Sequence, residues 1–229
     1  DNIPSELINT KVSVKESGRY ISCDPQLAYY STKLQTERLE TLRFAKELRK
    51  ELNRPLAICD PFCGVGPALS TLIAEEGLAG NILASDLNSS AVELLFENLK
   101  RWDKREYPTK SEKLQQYYDD RIVGLADATK LSQNPQYSGK WDMVLVNLPH
   151  RTIEFLPALI SLLNRSNVSL IRGRVIVAES DIPSANKKIN EILPPIVASK
   201  PKPELKIKRD YSSALRLCSF EAWIEKDIT

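Results

Sequence analysis

Polar side chains follow several apolar runs of this sequence, at positions where a ligand could be bound. Asp60, Gly64 and Gly66 follow one apolar run, Asp86 closes a second, and Asp127 follows a third. Glycines let the backbone approach a ligand closely. A carboxylate about twenty residues beyond such a loop can accept hydrogen bonds from both hydroxyls of a ribose. The third glycine of a dinucleotide fingerprint and the lysine of a phosphate-binding loop are both absent. The pattern therefore predicts a nucleoside site and disfavours a pyrophosphate site.

An asparagine–proline corner faces the same predicted site. Residues 143–146 have the composition of a buried strand, and Asn147, Leu148 and Pro149 follow them. Proline disfavours helix at the residue before it, so the chain stays extended there. The Asn147 amide is then presented at the carboxyl end of a strand, where open α/β sheets bind ligands. A nucleoside-cofactor site opposite such a corner suggests methyl transfer, and we expect S-adenosylmethionine as the cofactor.

The elements that position these residues alternate between strands and helices. Alternation of this kind predicts right-handed crossovers and a parallel, doubly wound sheet. Strands are predicted at 56–59, 81–85, 121–125, 141–146 and 174–178, with helices at 67–76, 89–102, 153–164 and 184–192. Two further strands, 205–209 and 215–224, follow each other with no helix between them. A terminal antiparallel hairpin on a parallel sheet of seven strands is the arrangement of class I methyltransferases, the Rossmann-like α/β fold that the chain resembles.

The first 31 residues differ from the rest. Residues 11–14 and 20–22 alternate like two short strands around a Ser-Gly pair, which predicts a hairpin. An apolar stripe then predicts a long helix over residues 32–52. We therefore divide the chain into a small N-terminal hairpin segment, residues 1–31, and a catalytic domain, residues 32–229.

Composition restricts the function less than the motifs do. The net charge of +2 is too small to indicate a nucleic-acid partner by itself. No apolar run approaches the ~20 residues needed to cross a bilayer, so we expect no membrane association. The four cysteines show no zinc-type pairing, so we expect no metal site and reduced cysteines in a cytoplasmic protein. Residues 103–120 are charged and aromatic, which leaves open a solvated insertion or a contact with a partner or RNA.

Three segments resemble the tRNA guanine-N1 methyltransferases of the archaeal and eukaryotic type, which act on the guanosine 3′ of the anticodon. They are Asp60-Pro61-Phe62-Cys63-Gly64-Val65-Gly66-Pro67, Ser85-Asp86-Leu87-Asn88 and Asn147-Leu148-Pro149 with Glu154-Phe155-Leu156. The segment 28–38 is similar to the tyrosine–serine–basic–leucine–threonine–glutamate–arginine segment of that family, and 209–212 resembles its closing strand. The resemblance covers residues 12–225 and implies tRNA as the partner.

The resemblance also implies roles for individual residues. Guanine N1 carries a proton at neutral pH, so its methylation needs a base within hydrogen-bond reach. In the family a glutamate takes this role, and it falls on Glu37; without the match, Glu37 would be interpreted as a solvated helix charge or a partner of Lys33. Tyr29 matches the tyrosine that contacts the target base, and Asn147 and Pro149 would hold the guanine edge and shape the pocket wall. The residues assigned to the cofactor are Lys33, Arg38, Asp60, Phe62, Gly64, Gly66, Asp86, Leu87, Asp127, Ala128 and Asn147, of which Lys33 and Arg38 would hold the methionine carboxylate.

Some features depart from the family. The separate N-terminal domain with which full-length members grip the tRNA elbow has no counterpart here, which leaves open a fragment, or a short form of the family that relies on other contacts or on a partner. The only histidine, His150, stands where exocyclic-amine methyltransferases have an aromatic residue, and we expect it to cap or to contact phosphate. Positive charge concentrates late in the chain, at Lys187, Lys188, Lys200, Lys202, Lys206, Lys208 and Arg209, as an RNA contact or an ordinary solvated surface. Alternative functions are methylation of a wyosine-type tricyclic base or another RNA guanosine, or a non-catalytic subunit that supports a partner.

Overall fold

An eight-stranded β-sheet forms the centre of the fold in the computed structural model, which describes residues 10–227. A separate antiparallel hairpin, β1 (Val12–Glu16) and β2 (Arg19–Cys23), precedes it and confirms the predicted N-terminal strands. The sheet strands are β3 (Leu56–Asp60), β4 (Ala79–Asp86), β5 (Gln115–Tyr118), β6 (Arg121–Leu125), β7 (Met143–Val146), β8 (Ser169–Ala178), β9 (Lys206–Asp210) and β10 (Leu215–Ile224). Their order across the sheet is β5-β6-β4-β3-β7-β8-β10-β9.

The predicted alternation of strands and helices is confirmed. The helices are α1 (Gln35–Leu52), α2 (Pro67–Ala74), α3 (Ser89–Asp103), α4 (Thr152–Ile160) and α5 (Ile182–Ile192). The five central strands are parallel to one another, and β10 pairs antiparallel with both β8 and β9. None of the helices within residues 10–227 is long and apolar enough to span a membrane.

Both faces of the sheet are covered by apolar packing. Neighbouring residues on a central strand belong to different cores: Ile58 packs with Phe44 and Phe96, whereas Cys59 packs with Leu156. Strands that are buried on both faces are apolar at nearly every position. This is why the central strands appear in the sequence as continuous apolar runs.

The sheet has one strand more than the seven predicted. The eighth, β5, lies inside the charged segment 103–120 and pairs antiparallel with β6 at the sheet edge. Tyr107 from the same segment is buried and stacks on Phe96 with ring centroids 6.1 Å apart. A purely solvated insertion is therefore the wrong interpretation. The sequence showed no apolar periodicity because tyrosines, which bury their rings and keep their hydroxyl groups hydrogen-bonded, anchor this segment.

The N-terminal hairpin is joined to the glycine loop by one buried side chain. Asn98 of α3 accepts a hydrogen bond from the Ser22 amide at 2.7 Å and donates to the Ser22 and Val65 carbonyl groups, both at 2.9 Å. Its side chain is fully buried. The residue thus positions β2 and the loop between β3 and α2 against each other.

We predict that Asn98→Ala destabilises the protein by about 2–4 kcal/mol, because three buried backbone groups lose their partner. Urea unfolding followed by circular dichroism measures this. Lys100→Ala on the same helix is the control, since it removes an exposed ion pair with Glu106, which is worth at most ~1 kcal/mol. Equal losses in the two variants would contradict the bridging role of Asn98.

Candidate active site

The carboxyl ends of the parallel strands open into one cleft of about 950 Å³. Parallel strands end at the same edge of a sheet, so the residues that follow them converge there. Of the residues predicted for the site, the cleft brings together Tyr29, Arg38, Asp60, Phe62, Gly64, Asp86, Leu87, Asp127, Ala128, Asn147 and Pro149. Lys33, Glu37 and Gly66 do not line it.

The two glycines have different tasks. Both adopt positive φ angles, +55° at Gly64 and +83° at Gly66, which side chains rarely allow. Gly64 lines the cleft, and its amide donates to Asp86 Oδ2 at 2.9 Å. A Cβ atom on Gly66 would lie 2.7 Å from the Leu95 side chain. Gly66 therefore allows the loop to pack on α3, and Gly64 shapes the cleft wall.

Asp86 is held in one orientation by backbone amides. Its Oδ2 accepts from Gly64 and its Oδ1 from the Asn88 amide, both at 2.9 Å. Each carboxylate oxygen has a further lone pair that can accept from a ligand hydroxyl. Leu87 beside it lines the cleft and is 72% exposed, so it offers an apolar surface for a ring.

The Asp127 carboxylate already accepts hydrogen bonds from a neighbouring residue. Its Oδ1 accepts from the Thr129 amide at 3.0 Å and from the Thr129 hydroxyl at 2.6 Å. These bonds hold the pKa of Asp127 below its usual value. Asp127 caps the short 3₁₀ helix Ala128–Gln133, and this brings Ala128 to the cleft wall.

The aromatic residue of the segment 154–156 contacts the glycine loop. Phe155 of α4 stacks on Phe62 with ring centroids 6.2 Å apart and an angle of 19° between the planes. Both rings line the cleft. The two sequence segments are almost a hundred residues apart, and together they form one apolar wall.

Asp60 is the least compensated acid of the cleft. It is fully buried, and neither carboxylate oxygen has a hydrogen-bond partner of acceptable geometry. Burial raises the pKa of Asp60 to about 7, although the nearby Phe62 amide, Arg174 and Asn147 all favour its ionised form. A buried carboxylate without a partner is suited to a ligand that brings a positive charge.

The asparagine–proline corner is held by hydrogen bonds to β8. The Pro149 carbonyl accepts from the Ile176 amide at 2.9 Å. The Thr152 hydroxyl donates to the Arg174 carbonyl at 2.6 Å and lies 3.0 Å from the Leu148 carbonyl. These contacts leave the Asn147 side chain at the cleft, beside Asp60.

The segment before α1 forms the opposite rim. Tyr29 is 73% exposed and lines the cleft, whereas the Tyr30 hydroxyl donates to Glu16 at 2.9 Å. Arg38 lines the cleft too, but its guanidinium donates through two nitrogens to the buried Glu16 carboxylate. Lys33 is exposed outside the cleft. The positive charge of Arg38 is therefore already compensated by Glu16.

Glu37 lies in a buried ion-pair cluster beneath the rim. Its Oε2 is 3.2 Å from Arg172 Nη2, and its Oε1 is 3.4 Å from Lys208 Nζ. Arg172 also binds Glu40 and Glu221, and Lys208 also binds Glu40 at 2.7 Å. Only 6% of Glu37 is exposed. The sequence alternatives of a solvated charge or a Lys33 partner are both wrong.

The cleft also contains Arg174 and Ile176, which no motif indicated, together with Arg209 and Tyr211 from the segment 209–212, which the motifs had not assigned to the cofactor or the base. The His150 ring nitrogen Nε2 lies 3.2 Å from the Tyr211 hydroxyl, and their rings meet edge to face. The sequence feature that could have identified Arg174 is its charge, because the strand around it is otherwise rich in β-branched residues. The prediction put Arg174 at the first position of its strand, whereas β8 begins five residues earlier.

Much of the late positive charge is used inside the fold. Lys200 binds Glu47 at 2.6 Å and lies over the Trp223 ring, Lys206 binds Glu221, and Lys208 binds the Glu37–Glu40 pair. These three lysines are therefore not an open basic surface. Arg209 lines the cleft and makes no ion pair with the part of the chain described here.

Comparison with known proteins places these features in a family. The model of the TRM5/TYW2 methyltransferase domain matches residues 12–174. The tRNA (guanine(37)-N(1))-methyltransferase Trm5b of Pyrococcus abyssi is 28% identical over 159 residues, which are 69% of this chain and 39% of that protein. The crystal structure of the M. jannaschii tRNA m1G37 methyltransferase superposes with a TM-score of 0.68 at 22% identity, covering 96% of this chain and 58% of that one.

A second solved structure is equally similar. M. jannaschii TYW2 in complex with AdoMet has a TM-score of 0.68 at 20% identity, covering 96% of this chain and 88% of that one. At these identities the structures establish the fold. The chain spans less than two thirds of the length of the Pyrococcus relative and of the M. jannaschii m1G37 enzyme.

We predict that Asp60→Asn stabilises the ligand-free protein above pH 7. The raised pKa means that the folded state keeps a proton that the unfolded state releases between about pH 4 and 7. The free energy of unfolding therefore falls as pH rises through this window, and the loss is complete above about pH 7. Asparagine cannot ionise and escapes this loss.

Thermal unfolding from pH 4 to pH 8 tests this. The gain in Tm of Asp60→Asn over wild type should be smallest at pH 4 and should grow until about pH 7. Asp119→Asn, which changes an exposed carboxylate, is the control and should show no such trend. A constant difference at every pH would show that Asp60 is not kept protonated by burial.

Proposed function

Because this chain belongs to the TRM5/TYW2 methyltransferase family, we propose that it transfers a methyl group from S-adenosylmethionine to N1 of a guanosine next to the anticodon of tRNA. Its fold is the S-adenosylmethionine-binding fold of class I methyltransferases. The observation that carries the proposal is that Asn147 and Pro149 line the same cleft as the glycine loop and the exposed ring of Tyr29. The cytoplasmic location predicted from the cysteines fits an enzyme that modifies tRNA.

The cleft residues fit the cofactor one group at a time. Asp86, oriented by two amides, would accept from the ribose hydroxyls, and Leu87 would pack on the adenine. Asp127 and Ala128 stand just after β6 and would hold the adenine amine. The unpartnered Asp60 carboxylate would hold the ammonium group of the methionine part. When bound, S-adenosylmethionine supplies an electrophilic methyl group.

The acceptor base enters from the other side of the cleft. An exposed aromatic ring at a cleft rim is a stacking surface for an unpaired base, and Tyr29 provides one. The Asn147 amide can hydrogen bond the base edge through both its donor and its acceptor groups. Pro149, tied to β8 through its carbonyl, forms a rigid wall behind the base.

Glu37 is our proposed general base, and it can act as one only when its carboxylate is released from two ion pairs. Its carboxylate is shared between Arg172 and Lys208 and does not line the cleft. To take the N1 proton, Glu37 has to leave these cations when tRNA binds. Glu40 lies one helical turn further along α1 and can keep both cations compensated, because it already binds Arg172 and Lys208.

We predict that Glu37→Gln slows methyl transfer by ~10²–10⁴-fold, the usual share of general-base catalysis. Binding of S-adenosylmethionine should stay near wild type, and the rate should rise more steeply with pH because hydroxide replaces the base. Single-turnover methylation of unmodified tRNA across pH measures both effects.

Glu40→Gln is the matched control, since it removes a carboxylate from the same cluster. Its rate should fall less than that of Glu37→Gln, because Glu40 only compensates the cations, and its pH profile should follow wild type. If Glu37→Gln also keeps the wild-type pH profile, Glu37 acts as a structural anchor and the base is another group. A product methylated on the exocyclic amine would contradict the guanine-N1 assignment itself.

TYW2-type chemistry is the second candidate function, because the TYW2 structure matches this chain as well as the m1G37 enzyme does. Mass analysis of nucleosides from tRNA treated with S-adenosylmethionine separates a methyl group from the larger aminocarboxypropyl group. It also identifies a wyosine-type base or another guanosine as the target. A non-catalytic subunit would leave the tRNA unchanged.

We propose that Arg209 contacts the tRNA backbone at the cleft rim. It lines the cleft beside the His150–Tyr211 pair and has no ion-pair partner within the described residues. We predict that Arg209→Gln weakens tRNA binding and reduces the slope of log affinity against log salt by about 0.7–0.9, the value for one phosphate contact. Filter binding at several salt concentrations measures this.

Arg216→Gln serves as the control for charge alone, because Arg216 is already paired with Glu179 and Asp210. Its salt slope should match wild type. An unchanged slope in Arg209→Gln would mean that Arg209 makes no phosphate contact.

A further inference from the structure

Two groups of opposite charge, the buried Asp60 and the half-buried Arg174, line the cleft without an ion-pair partner among residues 10–227. Asp60 ends β3 and Arg174 lies on β8, and each favours the charged form of the other; Glu37, beneath the rim, also favours the charged form of Arg174 and does so more strongly than Asp60. Within residues 10–227, neither side chain makes an ion pair, both Asp60 oxygens lack a hydrogen-bond partner, and the Arg174 side chain makes no hydrogen bond. Both groups are therefore available to a ligand.

Arg172 and Arg38, the two neighbouring arginines, differ from Arg174 because each of them has an ion-pair partner. Arg172, two residues earlier on the same face of β8, binds three carboxylates. Arg38, across the cleft, is neutralised by Glu16. Burial lowers the pKa of Arg174 to about 10, the direction expected when a cation is withdrawn from water without full compensation. The fold thus supplies ion-pair partners to Arg172 and Arg38 and leaves the half-buried Arg174 guanidinium unpaired at the cleft.

A carboxylate and a guanidinium on one cleft floor are complementary to a zwitterionic α-amino acid group. The methionine part of S-adenosylmethionine carries such a group, with a carboxylate beside an ammonium. Planar guanidinium groups match carboxylates with two parallel hydrogen bonds. Lys33 does not line the cleft and Arg38 is engaged. Of the two cleft arginines without an ion pair among residues 10–227, Arg174 and Arg209, only Arg174 is close enough to Asp60 to act on its charge.

We propose that Arg174 binds the α-carboxylate of the S-adenosylmethionine methionine group, opposite Asp60, which faces its ammonium. This deepens the proposed function and rests on it, since it assigns a residue to the cofactor of that reaction. Arg174 is a binding residue in this scheme and takes no part in proton transfer. The role that the resemblance assigns to Lys33 and Arg38 then belongs to a strand residue that no motif includes.

The test compares S-adenosylmethionine with its decarboxylated analogue, which lacks only the carboxylate. Calorimetry on the whole protein without tRNA gives the affinity of both ligands for wild type, Arg174→Met and Arg174→Lys. Wild type should prefer S-adenosylmethionine. Arg174→Met should lose about 10–100-fold in affinity for it, as expected for a charge-assisted bond, while the analogue binds within about threefold of wild type. Arg174→Lys should recover part of the preference.

Arg216→Met is the matched control, because it removes an arginine that is paired outside the cleft, and it should bind both ligands like wild type. Equal weakening of both ligands in Arg174→Met would overturn the proposal, since Arg174 would then only shape the cleft. Unchanged affinity for both, with weaker tRNA binding, would overturn it in favour of an RNA contact. If Arg174→Met does not fold, Arg174→Lys is compared with wild type in the same way. A preference for S-adenosylmethionine over the analogue as large as that of wild type would then overturn the role of the guanidinium.

Failure of the proposed function would look different. It would appear as intact carboxylate selectivity together with no methylated guanosine in treated tRNA. The binding experiment does not depend on the identity of the acceptor, so the two outcomes are separable.

Discussion

The buried guanidinium of Arg172 is the contact on which the geometry of this domain most depends. It bonds Glu37 and Glu40 of α1 and Glu221 of β10, and it also lies 5.2 Å from the centre of the Phe44 ring. Burial alone would raise the pKa of Glu40, but the bonds from Lys208 and Arg172 outweigh it and hold that pKa below its usual value. A buried charge that loses its partner typically costs 3–5 kcal/mol, so these elements are held in one relative position.

That constraint determines where the first wall of the cleft stands. The residues just before α1 carry Tyr29 to the rim, and α1 itself is fixed on the sheet through Glu37 and Glu40. A second buried pair, Arg38 with Glu16, joins the same helix to the N-terminal hairpin. The Asn88 amide group donates to the Leu27 carbonyl at 2.6 Å and links this segment to the loop that carries Asp86. The Asp86 side and the Tyr29 side of the cleft are therefore mechanically coupled.

The polar groups of the cleft fall into two kinds. Asp86 and Asp127 are oriented by backbone amides and present fixed acceptors. Asp60 is buried, Arg174 is half-buried, and neither makes an ion pair within residues 10–227, which is unfavourable for the empty protein and favourable for a ligand that brings both charges. The ligand-free protein is thus less stable because of the same unpaired charges that a ligand would bind. This is the usual relation between a preorganised site and the fold that supports it.

The sequence by itself determined the element order, the doubly wound sheet and most of the cleft, because strand periodicity and the residues after strand ends are local properties. Asp60, Gly64, Asp86, Asp127 and Asn147 were found this way, since parallel strands bring their carboxyl ends together whatever their separation along the chain. Only the tertiary structure decided which charged side chains have ion-pair partners and which do not. Glu37 and Arg172 are 135 positions apart, and no pattern along the chain shows that one compensates the other. The same holds for the tyrosines that anchor 103–120, for the lysines paired inside the fold, and for Arg174. Whether a charged side chain is compensated depends on neighbours across space, and spacing along the sequence does not contain that information.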